Sequence, residues 1–201
     1  RPARILVAPW TVIPGECDPA EAHRFADGVT NATVMPLTPP ARLEDPETWL
    51  PQLRHVLERA SGRPTSVVTS GAAPVADLPL VEVPARGAPR ALAVILSGDG
   101  GWASLDREVG DALAAAGVGV VGLNSLSYFW TKRTPEGTAA DVARVIRHHA
   151  DAWGVARVVL VGYSRGADVL PFVASRLPAD VAARVSLVAL LGPGRTTDFE
   201  F

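Results

Sequence analysis

Four apolar runs of strand length, separated by helical stretches, constrain the fold of this chain more than any other feature. They are Ala91–Leu96, Val118–Leu123, residues 157–161 and Val185–Leu191. None alternates apolar with polar residues, so each reads as a strand buried on both faces. Between them the apolar period becomes helical. A helix capped by Ser104 carries Leu105, Val109, Leu113 and Ala116 on one face and is stopped by Gly117. A second, over 138–153, carries Val142, Val145, Ile146, His149 and Trp153 and is stopped by Gly154; a third, over 165–177, ends at Leu177-Pro178. Strands alternating with single helices indicate an α/β fold with a doubly wound, mostly parallel sheet. Residues 78–83 read as a further strand.

Upstream, residues 61–77 (SGRPTSVVTSGAAPVAD) are small, polar and broken by Pro, and read as a linker. Before them, 5–7, 11–13 and 32–37 read as strands and 19–26 as a short helix. Residues 46–60 read as a closing helix, with Asp45 as N-cap and Leu50, Leu53 and Leu57 at helical spacing. The expected organisation is therefore 1–60, linker 61–77, and 78–201. No tandem repeat is evident.

Composition narrows the function. The 201 residues are 48% hydrophobic and 20% charged, enough for a packed core, and the net charge of −2 argues against nucleic acid as the main partner. A single cysteine, Cys17, excludes an intrachain disulfide and a multi-cysteine metal site. No apolar run is long enough to span a bilayer. No metal and no cofactor are expected. The chain starts at Arg1 without a signal-peptide pattern and is expected to be a processed product or a fragment.

The chemistry concentrates at the ends of the apolar strands. Gly162-Tyr163-Ser164-Arg165-Gly166 is a G-x-S-x-G between a strand and a helix, the context of a nucleophile elbow, with Ser164 as nucleophile. Ser97-Gly98-Asp99-Gly100-Gly101-Trp102 follows the strand ALAVIL. In a hydrolase that loop helps form an oxyanion hole, here from Gly100 and Gly101 with the amide of Arg165. A glycine-rich loop of this kind also suits phosphate, but the spacing of a nucleotide fingerprint and the Lys of a P-loop are missing. A third cluster, residues 124–135, holds Tyr128, Phe129, Trp130, Lys132 and Arg133. It reads either as a pocket for an anionic or amphiphilic substrate or as aromatics covering the core. Asp168, one turn beyond Ser164, either orients the helix or lines the site. No His follows Ser164, and His148 and His149 read as surface or interface residues. Asp198 and Glu200 are acids that follow the last strand and either face the pocket or are ordinary surface charge.

Four segments in order, LSGDGGW, GLNSLSYFWTKRTPE, LVGYSRGADVLPF and LLGPGRTTDFEF, resemble the bacterial virulence protein family VirJ/AcvB over about residues 76–201. Ser127 stands where the family usually has Arg, and Arg165 where it usually has Phe. The resemblance implies an α/β-hydrolase fold, a periplasmic location and a serine esterase acting on lysyl- or alanyl-phosphatidylglycerol. It implies Ser164 as nucleophile and a loop Asp99–Trp102 beside the oxyanion hole. Asp99 and Glu200 are then candidates for the ammonium group, Lys132 and Arg133 for the lipid phosphate. Trp102, Tyr128 and Asp168 complete the expected substrate-binding set. The implied partners are an aminoacylated phospholipid, a membrane surface met peripherally, and secretion-system proteins.

In the resembled family the hydrolase domain continues with two more strands carrying the acid and the His, so both are expected beyond residue 201. Residues 1–60 resemble the end of such a domain, with Asp18 at an acid-like position and Thr38-Pro39-Pro40 where a His belongs. They are expected to be the end of a degenerate preceding unit; the alternative is a circular permutation in which they supply the last strands of the same sheet. Two further functional classes stay open: a non-catalytic binding or scaffold protein on a hydrolase fold, and an esterase or thioesterase of other specificity.

Overall fold

In a computed structural model, which describes residues 8–14, 19–36, 45–59, 73–194 and 196–201, the four apolar runs form the middle of one sheet. In chain order the elements are β1 (Trp10–Ile13), α1 (Pro19–Asp27), β2 (Ala32–Val34), α2 (Pro46–Arg59), β3 (Leu80–Val83), β4 (Ala91–Leu96) and α3 (Ser104–Ala115). They continue with β5 (Val118–Leu123), α4 (Ser125–Tyr128), α5 (Pro135–Trp153), β6 (Val158–Tyr163), α6 (Arg165–Ala174), α7 (Ala179–Ala182) and β7 (Val185–Leu191). The seven strands lie in the order β2-β1-β7-β6-β4-β5-β3. Every pairing is parallel except that of β3 with β5. This is the α/β fold with a mostly parallel sheet that the sequence predicts.

The absence of alternation has a direct structural cause. Leu92, Val94 and Leu96 point into one core layer, while Ala91, Ala93 and Ile95 of the same strand point into the other. The first layer is closed by Val142, Val145 and Ile146 of α5 and Val169, Leu170 and Val173 of α6. The second is closed by Leu105, Val109 and Leu113 of α3 and Trp49, Leu50 and Leu53 of α2. Both faces of each central strand are removed from water, so both sets of positions must be apolar.

The division drawn at residues 61–77 is not a division of the sheet. β1, from before it, pairs with β7, from after it, in the register Trp10↔Val188 to Ile13↔Leu191. Residues 10–34 thus supply the two strands beyond β7. Residues 61–72 lie outside the described residues, as do the expected strand 5–7, Cys17, Asp18 and Thr38-Pro39-Pro40. Residues 73–77 are packed rather than loose: Val75 is buried, and Asp77 takes two hydrogen bonds from Arg144 of α5, at 2.9 and 2.8 Å.

Some boundaries differ from the sequence reading for local reasons. α5 begins at Pro135 instead of Thr138, because Thr134 Oγ1 accepts the Gly137 amide at 3.0 Å and Pro135 is preset for the first helical position. The cap of α3 is Ala103, whose amide donates to Asp106 Oδ2 at 3.2 Å, rather than Ser104. The short helices α4 and α7 carry too few residues for a periodic signal. No described helix is long and apolar enough to cross a membrane.

Candidate active site

β6 delivers Ser164 into a backbone conformation of φ 48° and ψ −115°. It is the one non-glycine residue at positive φ among the described residues. Such a conformation costs about 1–3 kcal/mol and persists only where its surroundings enforce it. Here the Ser164 amide donates to Leu191 O at 2.9 Å, and its carbonyl accepts the Asp168 amide at 3.0 Å, the first turn of α6. The flanking glycines are needed for space. A Cβ on Gly162 would lie 2.7 Å from Ala167 Cα, and one on Gly166 would run into the backbone of Leu96 and Ser97. Strand, turn and helix therefore fit only with glycine on both sides of the serine.

The loop after β4 stands beside this turn. A Cβ on Gly98 would lie 3.1 Å from the Tyr163 ring and 3.7 Å from Ser164 Cβ. The Gly101 amide donates to Gly98 O at 3.1 Å, closing a turn over residues 98–101. That bond corrects one expectation: Gly101 shapes the loop and has no amide to spare for an oxyanion. The amides of Asp99, Gly100 and Arg165 have no hydrogen-bond partner among the described residues. The loop is tied to its neighbour by Ser97, whose buried Oγ accepts the Ser125 amide at 2.9 Å.

Sequence reasoning missed Asp106. Its side chain is 2% exposed. Burial pushes its pKa up to about 6, against the pull of the Ala103, Asp106 and Gly98 amides. The available signal was an acid three residues after the cap position Ala103, the spacing at which a side chain reaches back to the cap amide.

The expected substrate-binding residues divide into two groups. Asp168 is half-buried, and its Oδ1 accepts the Gly194 amide at 2.5 Å. Burial raises its pKa; the charge of Asp99 adds to the rise and that of Arg165 opposes it. Asp99, Arg165 and Asp168 are thus electrostatically linked beside Ser164. Arg165 donates to Glu200 O at 2.5 Å and its guanidinium lies 4.5 Å from the Phe201 ring centre. A groove of about 350 Å³ is lined by Lys132, Arg133, Asp198, Phe199, Glu200 and Phe201. Lys132 and Glu200 pair across it at 3.8 Å. The other group is structural. Trp102 fills the space that Gly122 and Gly110 leave between β5 and α3. Tyr128 is 1% exposed and donates to Asp141 Oδ2 at 2.6 Å. Tyr128 has no free face for a ligand, whereas Trp102 is only partly buried. Arg133 is shared: its Nε donates to Tyr128 O at 3.1 Å and its guanidinium stacks 4.5 Å above the Tyr128 ring, yet it still lines the groove.

The four histidines stand elsewhere. His23 on α1 and His55 on α2 are exposed. His148 is half-buried on α5; His149 is buried, with Nδ1 2.9 Å from Val145 O and Nε2 3.3 Å from Glu82 Oε1. Among the described residues no hydrogen bond joins a histidine to Ser164, and no group of three or more metal-ligating side chains is assembled.

Residues 90–201 match the family described as "Bacterial virulence protein (VirJ)". No curated protein matches the sequence. Among solved structures, a protein described as a thioesterase from Silicibacter sp. is 20% identical, with 74% of this chain covering 56% of that one at a TM-score of 0.43. Epoxide hydrolase A from Mycobacterium thermoresistibile is 25% identical, with coverages of 57% and 36% and a TM-score of 0.33. The lipase BlEst2 of Bacillus licheniformis, in its propeptide form, is 12% identical, with coverages of 55% and 24% and a TM-score of 0.34. The chain therefore spans about half the length of the first of these structures, and less of the others.

Proposed function

The chain belongs to the bacterial virulence protein (VirJ) family, and from that premise we propose that it is a serine hydrolase cleaving the aminoacyl ester of lysyl- or alanyl-phosphatidylglycerol. The observation that carries the reading is the strained Ser164 at the head of α6, set beside a glycine loop whose Asp99 and Gly100 amides have no partner among the described residues. Ser164 Oγ attacks the acyl carbonyl. The amides of Arg165 and Gly100 take the developing oxyanion, aided by the positive end of the α6 dipole. Collapse expels the glycerol oxygen of the lipid, and water then releases the amino acid from Ser164. None of the four histidines makes a hydrogen bond to Ser164 among the described residues, so none of them is assigned as the general base.

Asp99, exposed beside the half-buried Asp168, is proposed to meet the ammonium group of the amino acid, and Lys132 and Arg133 the lipid phosphate. A periplasmic setting and a peripheral meeting with the membrane surface belong to the same proposal. Treatment with a fluorophosphonate followed by intact-mass analysis tests it. One label per chain, lost in Ser164→Ala while the fold is kept, is expected. Release of lysine or alanine from aminoacyl-lipid vesicles would then fix the substrate; cleavage of simple or thio esters alone would mean another specificity. A second reading, a binding or scaffold protein linked to secretion, is favoured by the missing histidine contact. Absence of labelling, with capture of a secretion component, would establish it.

A further inference from the structure

Asp106 is buried, ionisable and unused by the chemistry above. It sits on the first turn of α3, the helix into which the loop after β4 leads. Oδ2 accepts the Ala103 amide at 3.2 Å, at the far end of that loop. Oδ1 is shielded from water and has no hydrogen-bond partner among the described residues. The amide of Gly98, at the near end, acts on the carboxyl electrostatically. Gly98 is in turn the residue that approaches Ser164. The carboxyl thus holds the far end of the loop by a hydrogen bond, and the amides of Asp99 and Gly100 have no partner among the described residues.

We propose that Asp106 is a positioning residue, holding the Gly98–Gly101 turn so that its unpartnered amides are aimed at the reacting carbonyl on Ser164. The proposal rests on the hydrolase reading and adds a control to it. A carboxylate accepts amide hydrogen bonds about twice as strong as a neutral acceptor does. Only the ionised Asp106 therefore grips the loop firmly. No neighbouring ionised side chain contributes to its titration, which is governed by burial and by the Ala103, Asp106 and Gly98 amides. Asp99 on the loop and Arg107 on α3 are both exposed, and Arg107 Nη2 donates to Trp102 O at 3.4 Å. With its pKa raised to about 6, the carboxyl changes state just below neutral pH. Protonation relieves an unpaired buried charge, so it raises global stability while loosening the loop. A purely structural role would move loop order and stability together; the positioning role moves them in opposite directions.

The experiment uses the full chain and two readouts between pH 5 and 8. The first is hydrogen exchange of the amides of residues 98–103, corrected for the intrinsic rate. Exchange is expected to speed up at least threefold as the pH falls through about 6 in the wild type, and to lose that step in Asp106→Asn. The second is the rate at which a fluorophosphonate labels Ser164. Asp106→Asn is expected to label roughly tenfold more slowly at pH 7.5 and to lose the step near pH 6. A step due to a general base would persist in that variant. Flat loop exchange in the wild type overturns the proposal, as does wild-type labelling by Asp106→Asn with the step intact. Wild-type protein that takes no label at any pH sinks the hydrolase reading instead, and the exchange series still decides the positioning role. If Asp106→Asn does not fold, the wild-type exchange series decides alone.

Discussion

At the residue scale, the consequences follow from where a side chain's polar atoms end. Tyr128 carries the chemistry of a binding surface in the sequence, yet it is buried and its hydroxyl is taken by Asp141, whereas Trp102 packs above Gly122 and stays partly exposed. Asp106 carries an unpaired charge into the interior instead, and that has a measurable cost. Its folded pKa of about 6 lies above the ordinary value of 3.8. The folded chain therefore binds its proton more tightly than the unfolded chain. That contribution favours folding at acid pH and is lost as the pH rises from about 4 to about 6. Asp106→Asn, which still offers an oxygen to the Ala103 amide, should raise unfolding free energy at pH 7 by roughly 1–3 kcal/mol. The gain should shrink towards pH 4. Denaturant titrations at the two pH values measure it, and a variant less stable at pH 7 than at pH 4 relative to wild type would contradict it.

At the element scale, the working unit is β6, the turn and α6 together. The residues that make the turn possible are the ones with no side chain. Gly166→Ala should be among the most damaging single methyl additions in the molecule. Its Cβ meets the backbone of Leu96 and Ser97, which cannot swing aside as a flexible side chain would. A loss of about 3 kcal/mol is expected from forced backbone movement in a packed interior. Because Leu96 leads into the Gly98 loop, labelling of Ser164 should fall as well. Thermal unfolding and labelling of the same sample check both. Stability within 1 kcal/mol of wild type would show that α6 can move off β4 at little cost.

At the scale of the whole molecule, the sheet joins segments that lie far apart in sequence. β7 is covered along one edge by β1, and β1 by β2. α2 shields the second core layer through Trp49, Leu50 and Leu53. A chain beginning at residue 73 would leave the β7 edge unpaired and that apolar layer open. Exposed strand edges and large apolar patches drive association. Such a truncation should elute as aggregates and bind a hydrophobic dye, where the full chain elutes as a discrete species. A truncated chain that stays monodisperse and unfolds cooperatively would mean that residues 78–201 are self-sufficient.

The central sheet, its two buried faces and the place of Ser164 are legible in the amino-acid order alone. All three depend on short-range patterns: unbroken apolar strands, helical periods between them, and glycine on both sides of a serine at a strand end. Whatever depends on distant neighbours is set only once the chain is assembled. The pairing of Trp10–Ile13 with Val185–Leu191 has no local signature, since a strand reads the same whichever strand lies beside it. The loss of Gly101 as an amide donor depends on where Gly98 O points, and the withdrawal of Tyr128 on Asp141. The charge state of Asp106 depends on burial, which no window of sequence contains. Local propensity selects the elements; hydrogen-bond partners and exclusion of water, which only the assembled chain supplies, assign the roles.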